Sequence, residues 1–91
     1  MALMFDEPAD HQLVGEWKNP VRVQVGKHAP VVIRTPAEAL SLLLNRWPVA
    51  GGKYHEEARY MCSMALRRHI PSEVAREKFV SASLEAEILV S

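Results

Sequence analysis

The chain has 91 residues, 48% hydrophobic and 24% charged, which fits one small globular domain and excludes a disordered chain. Lys plus Arg equal Asp plus Glu at eleven each, so no strong overall field draws in nucleic acid or an anionic membrane. No apolar run approaches the roughly 20 residues that span a bilayer, which excludes a helical membrane anchor within it.

The start, MALMFDEPADHQLVG, carries acids and no Lys or Arg, and so does not read as a secretory signal. The single cysteine, Cys62, cannot close an internal disulfide, which fits a reducing compartment. A cytoplasmic location is expected. Residues 1–15 show no sustained period and read as a flexible acidic arm, leading into a single α+β domain at 16–91.

In VRVQV, Val21, Val23 and Val25 alternate with Arg22 and Gln24, the two-residue period of a half-buried strand. GKHA (26–29) supplies turn residues, and PVVIRT (30–35) offers a second strand, predicting a β-hairpin with a four- or five-residue connection. Its outer face carries Arg22, Gln24, Val32 and Arg34, and both of its edges are expected to lack partners.

TPAE (35–38) then gives a helix start: Thr35 caps, Pro36 suits the first position, and Glu38 completes a capping box. Leu40, Leu43, Leu44 and Trp47 fall on one apolar stripe, with Leu42 outside it, and Pro48 ends the helix. A second helix is predicted over about 54–69, with positions 54, 58, 61, 62, 65 and 66 as its apolar face. Pro71 interrupts it. A third runs over about 72–87 with Ala75, Phe79, Ala82 and Ala86 as a small-residue stripe, flanked by Val80, Leu84 and Ile88. The final ILVS continues either as a frayed end or as a short extended tail. The expected order is ββααα, a two-stranded antiparallel hairpin followed by three helices packed on one of its faces.

The stretch RWPVAGGKYHEEA (46–58) is the one most suggestive of chemistry. A Walker-type loop needs a glycine five positions before Gly-Lys and a Ser or Thr after it; here those positions are Trp47 and Tyr54. What survives is a weak anion site at a helix start, where free N–H groups and Lys53 converge. The alternative is that Gly51-Gly52 simply reverses the chain. A zinc helix fails as well, since the position four after His55 is Arg59. His69 lies about 21 Å from His55 along the same helix, so the two cannot share a metal within one chain. Glu56 and Glu57 at a helix start offset its dipole.

Cys62 lies on the apolar face between Met61 and Ala65, where a cysteine acts as a small hydrophobe rather than a nucleophile. No catalytic residue, metal or cofactor is nominated, and nothing marks the chain as an enzyme. Charge is uneven: residues 1–16 hold four acids and no cation, whereas residues 17–70 hold nine cations against three acids. The candidate anion- or partner-binding surface is accordingly Arg22, Arg34, Arg46, Lys53, His55, Arg59, Arg67 and Arg68, with Trp17 as a candidate exposed aromatic. An exposed hairpin edge and the off-stripe Leu42 favour a homodimer, with an unidentified protein as the further partner. Nucleic-acid binding through the basic 17–70 segment is the first alternative, weakened by Glu73, Glu77, Glu85 and Glu87 on the third helix. A small-molecule or anion-binding enzyme subunit is the second.

Taken in order, Trp17, Pro20-Val21, EAL at 38–40, RWP at 46–48, Gly52, Tyr54, Ala58, Cys62, Ala65-Leu66, Ala75-Arg76, Phe79 and Ala82 form a recognisable series. From about residue 16 to 88 the chain resembles the small bacterial family catalogued as domain of unknown function 982, frequent in rhizobia and their relatives. The resemblance implies a compact stand-alone cytoplasmic domain and carries over no catalytic or ligand-binding residue. Members of that family often place a glycine shortly after the Ala-Leu pair; here Arg67-Arg68-His69 follows instead.

Overall fold

A computed structural model of the chain describes residues 15–48 and 52–90. It shows the expected ββααα order: β1 (Val21–Val23), β2 (Val31–Ile33), α1 (Pro36–Asn45), α2 (Lys53–Leu66) and α3 (Ser72–Glu85). All of the expected acidic arm except Gly15 lies outside the described residues.

The hairpin pairs Val21 with Ile33, Arg22 with Val32 and Val23 with Val31. Alternation sends Val21, Val23 and Ile33 into the core and leaves Arg22, Gln24, Val32 and Arg34 exposed. The connection spans residues 24–30, longer than the four or five residues expected. Pairing stops there because the Val25 carbonyl accepts the His28 N–H at 3.1 Å, closing a local turn with Gly26 at φ 58°.

The β1 edge of the hairpin is not open as expected. Residues 88–90 run antiparallel along β1: Val23 bridges Leu89, the Gln24 N–H donates to the Ile88 carbonyl at 2.8 Å, and the Val90 N–H to the Arg22 carbonyl at 2.9 Å. The final segment is therefore extended. On the far side of β2, Arg34 donates its N–H to the Glu38 carboxylate at 2.7 Å and accepts the Trp17 N–H on its carbonyl at 2.8 Å. Pro30 has no N–H to offer. The outer edge of β2 at Val32 has no strand beside it among the described residues.

Thr35 caps α1 as expected, its Oγ1 accepting the Glu38 N–H at 3.1 Å. The buried arc of α1 differs from the expected stripe, consisting of Pro36, Ala39, Leu42 and Leu43. Leu42 is 5% exposed and Leu44 is 55% exposed, the reverse of the reading from periodicity. The cause is that α1 is covered from two directions. Leu42 lies beside Val31 and Ile33 of the hairpin, while α2 packs against the other flank. The case for self-association through Leu42 lapses with its burial.

Both later helices end sooner than their predicted limits, and both for the same reason. After α2, Arg68 takes φ 63°, with its N–H on the Ala65 carbonyl at 3.0 Å and the His69 N–H on Met64 at 2.9 Å. After α3, Glu87 takes φ 60°, its N–H on Leu84 at 3.1 Å and the Ile88 N–H on Ser83 at 3.0 Å. These are paired Schellman closures in which an arginine and a glutamate occupy the left-handed position that favours glycine. A side chain there costs about 1 kcal/mol. Arg68→Gly is therefore expected to stabilise the domain by about 0.5–1 kcal/mol, net of glycine's greater unfolded-state freedom. A thermal melt should rise by about 2–8 °C; a fall would contradict this account of the turn.

The core centres on Phe79, fully buried on α3, with Trp17 at 5.9 Å and Trp47 at 6.0 Å between ring centres. Trp17 is thus no exposed aromatic: it is 3% exposed, and its indole N–H donates to the Ser72 carbonyl at 2.9 Å. The rest of the lead-in is tied down beside it. Lys18 N–H reaches the Glu73 carboxylate at 3.0 Å, Arg76 Nε reaches the Asn19 carbonyl at 2.6 Å, and Ser72 Oγ donates to the Gly15 carbonyl. Gly15, expected to close the loose arm, belongs to this strap.

Candidate functional site

The turn into α2 is built as architecture. Gly52 caps the helix at φ 109°, a conformation side chains rarely adopt. A β-carbon there would stand 2.8 Å from Glu85 Oε1, so an internal carboxylate already lies against the helix N-terminus proposed for an external anion. Lys53 is exposed, its Nζ 5.7 Å from the centre of the Tyr54 ring. His55 is not on the surface as expected: it is 7% exposed, its ring 5.5 Å from Trp47. Its Nε2 sits 2.9 Å from the Leu43 carbonyl. A carbonyl only accepts, so Nε2 carries the proton. That contact satisfies one of the carbonyls left unpaired at the end of α1 and locks α1 to α2.

The expected cations do not form one patch. Arg22 and Arg34 stand on the outer face of the hairpin, and Arg46 flanks Val31, Ile33 and Leu42. Lys53 and Arg68 lie at opposite ends of α2, about 20 Å apart. Arg59 and Arg67 line one groove.

That groove, about 500 Å³, runs between α1 and α2 and is lined by Leu40, Leu44, Glu56, Arg59, Tyr60, Ser63, Met64 and Arg67. Its α2 residues recur three and four apart on the side opposite the buried His55, Ala58 and Cys62. The predicted apolar face of α2 also needs correction, since Tyr54 and Leu66 are exposed at 39% and 47%. Tyr60 is 61% exposed and Leu44 55%. Two large apolar side chains held in water beside a third and a methionine make a surface suited to contact. Leu44, Tyr60 and Met64 were absent from the candidate residues. The available signal was an aromatic at position 60, half a turn away from Ala58 and Cys62.

Cys62 is fully buried, and burial pushes its thiol from 9.0 up to about 12. At neutral pH it is a thiol with no nucleophilic character. Because the folded value lies above the unfolded one, stability is intact below about pH 9. It falls as pH rises from there toward 12, since the unfolded chain releases the proton first. Urea midpoints should decline across that window in the native chain and decline less in Cys62→Ala; parallel profiles would contradict this origin. A thiol reagent at pH 7.5 should label Cys62 only after denaturant is added.

Among the described residues, no three of His, Cys, Asp and Glu stand close enough to hold a metal ion. No described helix is long and apolar enough to cross a membrane. What fold and groove define is a small α+β domain, a hairpin extended by its own C-terminal segment and packed together with three helices. Residues 19–90 match the model of a protein family described as Protein of unknown function (DUF982), and the chain belongs to that family. It is similar to the NMR structure of Agrobacterium tumefaciens protein Atu1219, a structural-genomics target, with 33% identity and a TM-score of 0.71. The match covers 84% of this chain and 76% of that one. No curated protein matches the chain.

Proposed function

We propose that this chain is a small non-enzymatic interaction or regulatory protein of the cytoplasm that binds protein surfaces through the outer groove of α1 and α2. The observation that carries the reading is the exposure of Leu44 and Tyr60 beside Leu40 and Met64, with Glu56, Arg59 and Arg67 at the margins. An apolar centre with a charged rim is the anatomy of a protein-binding patch. Exposed aromatics of this kind often dominate binding energy. The free, buried Cys62 fits a reducing compartment.

The test is paired affinity capture from the native host with the intact chain and a Tyr60→Glu variant as baits. Tyr60 is mostly in solvent, so the variant keeps its fold. Proteins retained on the first bait and lost from the second support the reading, and identical sets on both overturn it. Nucleic-acid binding is a second reading, favoured by Arg22, Lys27 and Arg34 standing exposed on the hairpin. Titration of DNA and RNA at two salt concentrations decides it, since phosphate contacts strengthen as salt falls.

A further inference from the structure

The six α2 residues that line the groove are Glu56, Arg59, Tyr60, Ser63, Met64 and Arg67. Their order has a symmetry that bears on the partner. Taken about the midpoint between Met61 and Cys62, Glu56 mirrors Arg67, Arg59 mirrors Met64, and Tyr60 mirrors Ser63. A two-fold axis through that midpoint, perpendicular to α2, lays one copy of the helix antiparallel on another. Each Glu56 then faces the partner's Arg67, and each Tyr60 ring lies over the partner's Ser63 beside the partner's Met64.

We infer that the occupant of the α1–α2 groove is a second copy of this chain, docked by antiparallel α2–α2 packing with two symmetry-related Glu56–Arg67 ion pairs. The inference rests on the proposed interaction role of this groove and names its partner. Charge carries the choice. Within one chain, Glu56 and Arg67 lie about 16 Å apart along α2, too far to pair with each other. Neither has a salt-bridge partner among the described residues. An isologous dimer uses each surface twice, so one acid and one base at mirrored positions satisfy both ends of the contact. In the opposite, parallel arrangement Glu56 would face Glu56 and Arg67 would face Arg67, which is repulsive. Leu40 and Leu44 of each copy then cover the flank of the partner helix, removing the apolar exposure that the single chain carries.

Sedimentation equilibrium on the purified full-length chain tests this with charge swaps. The wild type is expected to show a reversible monomer–dimer equilibrium in the micromolar range, weakened by salt. Glu56→Arg alone and Arg67→Glu alone should each raise the dimer dissociation constant about tenfold, since each turns two attractive pairs into repulsive ones. An equimolar mixture of the two variants should associate again, because the heterodimer restores an acid opposite a base at both ends. Tyr60→Glu should be monomeric, with an unchanged circular dichroism spectrum. A wild type that stays monomeric at several hundred micromolar overturns the inference. So does a dimer indifferent to both swaps, or variants whose mixture does not recover. If the purified chain is monomeric while Tyr60→Glu still loses a captured protein, the groove binds something else and the broader reading stands. If capture too is unaffected, both fall.

Discussion

Phe79→Ala is expected to leave a chain that no longer unfolds cooperatively at 25 °C. Phe79 is fully buried, and both tryptophans lean on its ring, Trp17 from the lead-in and Trp47 from the end of α1. Removing it takes away its own burial and opens a cavity between side chains that cannot all move inward, for about 3–5 kcal/mol. Each aromatic contact adds about 0.5–1.5 kcal/mol. A domain of this size holds on the order of 5–10 kcal/mol in total, so most of its stability goes. Urea unfolding followed by tryptophan fluorescence reads the effect directly, because the only two tryptophans flank the mutated ring. Phe79→Leu, which keeps much of the volume, should retain a sharp transition at a cost of about 1–2 kcal/mol. An alanine variant that lost less than about 1.5 kcal/mol would mean that the core is not organised around this residue.

The elements that periodicity made legible were those with one covered face. β1 and β2 alternate cleanly because the hairpin packs on one side only, and Thr35-Pro36 with Glu38 announces the start of α1 by local chemistry alone. Periodicity failed where two neighbours compete for one helix. The leucines of α1 offer several arcs of similar width, and only the tertiary packing of α1 selects Leu42 over Leu44. It failed again where a polar residue serves the core. His55 is buried because the end of α1 leaves the Leu43 carbonyl in need of a donor, a demand that lies twelve residues away in sequence. Helix ends were overrun because Arg68 and Glu87 hold a conformation usually marked by glycine. The family's habitual glycine after Ala-Leu was the one hint, and the left-handed backbone at Arg68 keeps the geometry without the residue.

The groove is hard to see in the sequence for a related reason. Cations and motifs point to Lys53 and His55, whereas the surface best suited to contact is apolar at its centre. Tyr60 interrupts a polar helix face with an aromatic ring, and Leu44 looks like core by spacing alone although it is 55% exposed. One orientation of α1 connects core to surface: it buries Leu42 and leaves Leu44 in the groove.

Deleting residues 88–91 should have an effect second only to the loss of Phe79, in both stability and solubility. Ile88 is 5% exposed and belongs to the main core, so its removal alone costs about 2–5 kcal/mol. The segment also caps β1, taking the Gln24 N–H and giving the Val90 N–H to Arg22. Without it a hairpin of two three-residue strands loses the cover on its β1 edge, and a two-stranded sheet is marginal on its own. The melting temperature is expected to fall by about 10–20 °C. Light scattering should rise with concentration as uncovered β1 edges find one another. Two controls separate the contributions. Ile88→Ala keeps the backbone pairing and should lose stability without aggregating, whereas Leu89→Asp, at a position 36% exposed, should change little. A truncated chain that melted within about 3 °C of the intact one would show that the C-terminal strand decorates the fold rather than completing it.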